Sequence, residues 1–270
     1  MSMFCFQCEQ AANGTGCTIA GICGKKPRAA ALQDLIIDQL KELSFYHHRL
    51  KKYGIKKEEL DKITLEGLFT TVTNVNFDSA RLRDIVLNIA EWKNKIKQNY
   101  IDVSKEKGVE PESPDIPSLE IQTSEDLESL LEDALIISID NRKNKQDNDI
   151  ISLQEILTYG MKGAAAYADH AMILGKKNQE IYDFFTEALS ILTKEKPAVD
   201  EMLGYCMKCG EINLKTMELL DQANTEAYGH PEPTKVRITP VKGKAILVSG
   251  HDLKDLEEIL KQTEGKGINV

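Results

Sequence analysis

Apolar residues recur at three- and four-residue intervals through the first 228 positions, the spacing of helices that each bury one face. The first such stretch begins at Pro27, since proline suits the first turn of a helix, and ends at Gly54. The same spacing predicts further helices over residues 57–72, from 78 or 79 to about 96, 124–135, 152–174, 179–194 and 198–227. The pattern contains no convincing strand here, so we expect an all-helical domain built of two small bundles.

Two polar stretches separate these helices. Residues 109–118 contain three prolines, which predicts a loop or tether. Residues 141–149 are polar and charged, which predicts a solvated loop. Ser152 and Glu155 have the spacing of a capping box, in which two side chains bind the free N–H groups at the start of a helix. The next helix is therefore predicted to begin at residue 152.

The pattern changes after residue 228. Residues 229–233 form a proline-containing connector, and the apolar run 244–249 predicts a strand. An amphipathic helix follows from Leu253 to Leu260, and residues 268–270 begin another strand. This order is typical of a βαβ unit in a parallel sheet.

We therefore predict a mainly α protein with two parts. Residues 1–228 form the helical domain, and residues 229–270 form a connector and the first βαβ elements of a Rossmann-like α/β domain. A parallel sheet needs several strands that are covered on both faces. We thus expect the chain to be the N-terminal part of a longer protein whose α/β domain is truncated here.

Charge and composition narrow the class of partner. The formal net charge of −9 leaves no basic face in bulk for nucleic acid and would repel an anionic membrane surface. No apolar run approaches the length of a membrane span, and the N-terminus lacks the basic and apolar regions of a secretion signal. Cysteines without such a signal indicate thiol or metal chemistry in a reducing compartment, so we expect a cytoplasmic protein.

The cysteines are concentrated at the start of the chain. Four of the six are Cys5, Cys8, Cys17 and Cys23, with the spacing C-x2-C-x8-C-x5-C. Four thiolates on one short segment can enclose a metal ion or an iron–sulfur cluster, and the glycines between them allow the backbone to wrap closely. The sequence therefore predicts a metal centre at the N-terminus.

The spacing also bears on the kind of metal centre. Disulfides are disfavoured without an export signal, whereas a structural zinc site also accepts four thiolates. Structural zinc sites usually have two C-x2-C pairs, and this segment has one. The longer gaps of eight and five residues better suit the separated corners of a cubic cluster. Iron–sulfur is thus favoured, and zinc remains the alternative.

Nine segments spread along the chain carry a likeness beyond cysteine spacing. They are residues 4–10, 14–18, 21–25, 73–78, 213–221, 224–225, 228–231, 248–253 and 263–270. In sequence and in order they resemble the hybrid cluster proteins, also called the prismane or hydroxylamine reductase family. The matching segments lie at both ends and in the middle, so the resemblance covers the whole chain.

This resemblance implies a helical first domain with a [4Fe-4S] cubane, followed by two α/β domains that hold a hybrid iron–sulfur–oxygen cluster. Cys5, Cys8, Cys17 and Cys23 match the cubane ligands, and their gaps match cubane-bearing members rather than relatives with a [2Fe-2S] cluster. His251, in Ser-Gly-His-Asp-Leu, matches the histidine ligand of the hybrid [4Fe-2O-2S] cluster. The remaining hybrid-cluster ligands of the family lie in segments beyond residue 270. We therefore expect this chain alone neither to assemble the hybrid cluster nor to be active.

The histidines and the other cysteines also have simpler interpretations. His251 lies where a strand gives way to a helix, a ligand-binding position in open α/β sheets, although a single histidine there more often caps or packs. Cys206 and Cys209 form a second C-x2-C on a helix. Packing is favoured for this pair, and an oxidisable or metal-binding thiol pair is the alternative. His47 and His48, near a helix end rich in basic residues, are predicted to be solvated.

The leading hypothesis is the N-terminal part of a hydroxylamine reductase-like oxidoreductase. The resemblance implies that an electron-donor protein reduces the cubane, which passes electrons to the hybrid centre, where hydroxylamine becomes ammonia and water. Nitric oxide reduction, with protection against nitrosative stress, is the competing account of the family. Two alternatives belong to other classes: an electron-transfer or structural iron–sulfur domain without its own catalysis, and a zinc-stabilised helical interaction module.

Overall fold

The computed structural model describes residues 3–122 and 124–270, and it confirms a mainly α protein. The chain divides into two compact units, Met1–Leu220 and Asp221–Val270. The boundary predicted after residue 228 stays a prediction. The helices up to residue 228 are α1 (Pro27–Lys52), α2 (Glu58–Thr70), α3 (Ser79–Glu106), α4 (Leu127–Ile136), α5 (Ile139–Lys143), α6 (Asn148–Ile173), α7 (Gln179–Ile191) and α8 (Val199–Tyr228).

Helix α1 is the centre of the helical unit, because α2, α3, α4 and α7 all pack against it. Its apolar residues point to more than one side of the helix and are fully buried: Leu32, Leu35, Ile36, Leu40, Leu43 and Leu50. A helix that is apolar on most of its surface is stable only when neighbours cover it on several sides. The sequence of α1 thus determines its central position. Among the described residues, no helix has both the length and the apolar character needed to cross a membrane.

Helix α6 begins four residues earlier than predicted, and the proposed capping box is wrong. Asp147 is the N-cap residue, and its carboxylate accepts a hydrogen bond from the Asp149 N–H at 2.8 Å. Ser152 instead donates its hydroxyl to the carbonyl of Asn148, and Glu155 forms an ion pair with Arg142. The predicted solvated loop at 141–149 is therefore wrong in part, since α5 ends and α6 begins within it.

The proline-containing segment 109–118 has neither helix nor strand, as predicted. Its last residue, Ser118, and the next residue, Leu119, are bound to the helices by a buried ion pair. Lys93 on α3 and Glu42 on α1 are both fully buried, with Nζ and Oε2 3.8 Å apart. Lys93 donates to the carbonyl of Leu119 at 2.6 Å, and Glu42 accepts from the Ser118 hydroxyl at 2.7 Å. These contacts satisfy polar groups that would otherwise be unpaired in the core.

The second unit contains the predicted strand–helix–strand order. Strand β1 (Lys244–Ala245) pairs in parallel with β2 (Ile268–Asn269), and helix α9 (Leu253–Thr263) connects them. The parallel arrangement is confirmed, but β1 is shorter than the predicted run 244–249. Leu247 is 98% exposed, so the apolar residues after Ala245 have no covering layer within the described residues.

Candidate metal centre

Two of the four N-terminal cysteines are brought together by backbone pairing. The N–H of Cys5 donates to the carbonyl of Cys17 at 3.1 Å, and the Cys17 N–H donates to the Cys5 carbonyl at 2.8 Å. Residues that exchange both bonds in an antiparallel pair have Cα atoms about 5.5 Å apart. Cys17 is buried and packs with Met3 and with Ala30 of α1. This pairing therefore fixes the cysteine segment against the start of the helical unit.

The other two cysteines lie in turns, Cys8 between the two paired residues and Cys23 after them. Cys8 begins a turn in which its carbonyl accepts from the Ala11 N–H at 3.1 Å. Cys23 lies in the turn closed by the Gly24 N–H and the Gly21 carbonyl at 2.8 Å. The segment is therefore a closely wound loop with one cysteine in each turn and two in the paired stretch.

At two positions in the loop, only glycine fits without a steric clash. A Cβ at residue 21 would lie 2.9 Å from the sulfur of Cys23, closer than unbonded atoms pack. Gly16 has φ +151°, and a Cβ there would lie 2.7 Å from the ring of Phe4. These close approaches agree with the prediction that glycines let the backbone wrap closely around the cysteines.

The donor set of the loop fits an iron–sulfur cluster in its chemistry. All four cysteines are free thiols, and the Ala12 N–H donates to the sulfur of Cys17 at 3.4 Å. Hydrogen bonds of this kind to sulfur are among the means by which proteins set the reduction potential of a cluster. A [4Fe-4S] cluster is held by four cysteine thiolates.

Within residues 3–122 and 124–270, no three side chains of His, Cys, Asp or Glu converge closely enough to hold one ion. A cubane makes a different demand, because each thiolate binds a different iron and the sulfurs stand further apart than the ligands of one ion.

Helix α6 borders the cysteine loop with an aromatic and a basic side chain. The ring of Tyr159 meets the edge of Phe6 with centroids 5.7 Å apart, and Lys162 donates to the side-chain carbonyl of Gln7 at 3.3 Å. Burial, together with the negative charge of Glu155, raises the pKa of Tyr159 far above its usual range, so this phenol stays protonated. The loop is thus supported from α6 on the side of Phe6 and Gln7.

A cluster of charged residues on α1 and α6 was missed by the sequence reasoning. Burial raises the pKa of Asp34 to about 6 and that of Asp38 to about 7, and it lowers the pKa of Lys162 to about 8. Burial also lowers the pKa of Lys41. The sequence of α1 contains a signal for this cluster, because its charged residues recur at spacings of three and four among apolar positions. Sequence alone could not show that these charges point inwards.

His251 lies in the second unit, in the bend before α9. Its neighbour Asp252 is the N-cap of α9 and accepts hydrogen bonds from Lys254 and Asp255 N–H groups at 3.0 and 3.3 Å. His251 is exposed and lies two residues before α9, but the strand predicted to lead into this helix ends at Ala245. Its role as a ligand stays a prediction.

Cys206 and Cys209 on α8 pack against α6, in agreement with the favoured interpretation. The thiol of Cys206 donates to the carbonyl of Leu153 at 3.5 Å. The sulfur of Cys209 lies so close to Gly160 that a Cβ on that residue would be only 2.9 Å from it. Burial raises the pKa of both thiols, that of Cys209 to about 11. Neither thiol is poised to ionise near neutral pH.

The prediction that His47 and His48 are solvated is wrong for His47. Only 1% of His47 is exposed, because this face of α1 is covered by its packing neighbours. His48, on the adjacent face of the helix, is half-buried. The basic residues beside them predicted a solvated helix end, but the aliphatic parts of lysine and arginine can cover buried surface.

Comparison with known proteins extends over the whole chain. Residues 3–270 match the Prismane/CO dehydrogenase family. The chain is 45% identical to the hydroxylamine reductase of Halothermothrix orenii over 270 residues, which are 100% of this chain and 48% of that protein. The hydroxylamine reductases of Methanocella arvoryzae and Geobacter metallireducens are each 46% identical over 99% and 100% of this chain, and 48% and 49% of their own lengths.

The chain thus spans about half the length of the curated relatives it matches. The family match covers all residues from Met3 to Val270. These similarities confirm the family resemblance drawn from the sequence. The chain belongs to the Prismane/CO dehydrogenase family.

Proposed function

We propose that this chain is the N-terminal part of a hydroxylamine reductase-like oxidoreductase, and that Cys5, Cys8, Cys17 and Cys23 hold a [4Fe-4S] cluster. The observation that carries this proposal is the mutual pairing of Cys5 with Cys17 in a loop of four free thiols. It is supported by the match to hydroxylamine reductases over the whole chain.

A bound [4Fe-4S] cluster supplies a centre that accepts and releases one electron. The residues of this chain hold it and adjust its environment. Cys17 is buried and accepts a hydrogen bond from the Ala12 N–H, which favours the negatively charged, reduced form. Glycine at position 21 leaves room for the sulfur of Cys23.

In the whole protein, the overall reaction joins two electrons, two protons and hydroxylamine to give ammonia and water. Cys5, Cys8, Cys17 and Cys23 would hold the [4Fe-4S] cluster, which would supply electron transfer from a donor protein. His251 would be one ligand of the hybrid cluster, which would supply the site of this reaction. We propose the electron relay for this chain and the reduction of hydroxylamine for the whole protein. A reducing compartment, the cytoplasm, suits both thiolate ligation and this chemistry.

The experiment is iron and acid-labile sulfide analysis after anaerobic reconstitution of the chain. The unsubstituted chain is expected to bind about four irons and four sulfides, with a visible absorption that dithionite bleaches. The Cys8→Ser variant is expected to lose at least half of the bound iron, because a cubane needs each of its four ligands.

Cys206→Ser provides the matched control, since it removes a cysteine of the same chain that lies outside the loop. Its iron content should equal that of the unsubstituted chain. Equal loss of iron in both variants would contradict the assignment of the ligands. A colourless protein with about one zinc per chain would support the zinc-stabilised alternative instead.

A further inference from the structure

Three of the described lysines are buried, and they differ in what surrounds their charge. Lys93 is fully buried and forms an ion pair with Glu42. Lys25 is 3% exposed and Lys162 is 7% exposed, but no carboxylate of the described residues lies within ion-pair distance of either ammonium group. Buried lysines are nearly always paired, because an ammonium group taken out of water loses much of its solvation free energy. Two buried cations of this chain therefore lack a counter-charge.

Lys25 belongs to the cysteine loop itself. Its carbonyl accepts a hydrogen bond from the Gly21 N–H at 2.8 Å, which encloses the turn that contains Cys23. Its ammonium group lies over the ring of Phe77, 5.9 Å from the ring centroid. An aromatic ring attracts a cation but carries no net charge. Phe77 therefore positions the ammonium group of Lys25 without neutralising it.

Lys162 approaches the loop from α6. Its ammonium group donates to the side-chain carbonyl of Gln7 at 3.3 Å and lies over the ring of Tyr159, 5.5 Å from the ring centroid. Gln7 lies between the first two cysteines of the loop, and Lys162 and Cys5 line the same cavity. Both contacts of the ammonium group are with neutral groups. Burial lowers the pKa of Lys162 only to about 8, so this side chain is still mostly protonated at pH 7.

The two unpaired cations thus lie beside the loop that is proposed to hold an anion. Cysteine binds iron as the thiolate. A [4Fe-4S] cluster with four thiolate ligands is negatively charged, and reduction adds one more negative charge. The buried lysine that has a carboxylate partner, Lys93, instead contacts the segment that follows α3. The position of Lys25 and Lys162 is therefore explained by the charge of a bound cluster.

We propose that Lys25 and Lys162 are the counter-charges of this cluster and that they raise its reduction potential. The inference rests on the proposed function and adds to it two residues that set the potential without binding iron. A positive charge stabilises the more negative, reduced form of the cluster relative to the oxidised form, so each lysine makes the cluster easier to reduce. Because both side chains are shielded from solvent, salt screens this interaction little.

The test is an anaerobic redox titration of the reconstituted chain at pH 7, followed by visible absorption and by the EPR signal of the reduced cluster. At the midpoint potential of the unsubstituted chain, the ratio of reduced to oxidised cluster should fall about tenfold in Lys162→Met. A tenfold change corresponds to a decrease of about 59 mV in the potential of a one-electron couple. Lys25→Met should lower the potential too, and it serves as the second variant if Lys162→Met does not fold.

Two controls separate the charge from the shape of the side chain. Lys162→Arg keeps the charge and should have a potential close to that of the unsubstituted chain. Lys95→Met is the matched control, because it removes a lysine from an exposed ion pair with Glu91 on α3, and it should leave the potential unchanged. Loss of iron from Lys162→Met that Lys162→Arg restores would also support the counter-charge. Equal loss of iron from both variants would assign Lys162 to packing and contradict its proposed role.

Failure of this inference can be distinguished from failure of the proposed function. Full iron content with an unchanged potential in both Lys25→Met and Lys162→Met would overturn the inference and leave the cluster assignment intact. An unsubstituted chain that binds no iron would overturn the proposed function, and the inference with it.

Discussion

The imidazole of His47 lies in the interior of the helical unit, and neither ring nitrogen has a hydrogen-bond partner within the described residues. Burial lowers its pKa to about 3, and the positive charge of Lys51 acts in the same direction. Asp183 partly opposes this shift, whereas His48 and Lys57 add to it. His47 is therefore neutral in the folded protein at every pH at which the protein is usually handled.

This burial predicts that acid destabilises the protein through His47. In the unfolded chain the histidine has its ordinary pKa of 6.5, so below that pH the unfolded state binds a proton that the folded state does not. The free energy of unfolding then decreases as pH falls from 6.5 towards 3, by up to about 1.4 kcal/mol for each pH unit. Asp34 and Asp38 act in the opposite direction, because their raised pKa values make stability decrease as pH rises from 3.8 towards 6 or 7.

Urea unfolding of the unsubstituted chain and of His47→Leu at pH 7, 6, 5 and 4.5 isolates the effect of this histidine. The two carboxyl groups are common to both proteins, so their contribution cancels in the difference. His47→Leu should gain stability relative to the unsubstituted chain as pH falls. His230→Gln, which changes an exposed histidine, should show no such gain. A difference between His47→Leu and the unsubstituted chain that is constant with pH would contradict the account.

At the scale of elements, the irregular segment after α3 depends on two helices for its position. Lys93 on α3 and Glu42 on α1 form a buried ion pair. Both side chains also make hydrogen bonds to Leu119, and Glu42 makes one to Ser118. Removing one partner leaves the other charge buried and unpaired, which is far more costly than removing both.

Lys93→Met should therefore lower the free energy of unfolding by about 3–5 kcal/mol. The double substitution Glu42→Gln with Lys93→Met should recover most of this loss, since it leaves no buried charge. Both values come from urea unfolding at pH 7. The exposed Lys62→Met serves as control and should change stability by less than about 1 kcal/mol. If the double variant were as unstable as Lys93→Met, the cost would lie in packing and not in the unpaired charge.

The bounds of helices and strands could be predicted from sequence where apolar periodicity determines them. They could not be predicted where contacts between distant residues determine them. The positions of α1, α7 and α9 follow from apolar spacing and from ordinary helix boundaries. The start of α6 was missed because Asp147 and Ser152 are both good N-cap residues, and the pairing of Glu155 with Arg142 decides between them. The inward charges and the buried His47 were missed because only the packing of neighbouring helices shows which face is covered.

At the scale of the whole molecule, the four candidate ligands lie together on one short loop of the helical unit, while His251 lies in the other unit. The cysteine spacing and the resemblance predict this loop as the metal centre, and that assignment stays a prediction. The structure pairs Cys5 with Cys17 through their backbones. The polypeptide supplies only the cysteine ligands, so the identity of the bound metal must be determined by measurement.

The Mössbauer spectrum of the chain after anaerobic reconstitution with iron-57 and sulfide identifies what the cysteine loop binds. We expect the bound iron to form one diamagnetic [4Fe-4S]²⁺ species with delocalised valence, which becomes paramagnetic on reduction by dithionite. A spectrum of isolated high-spin iron, or of protein that retains no iron after gel filtration, would contradict it.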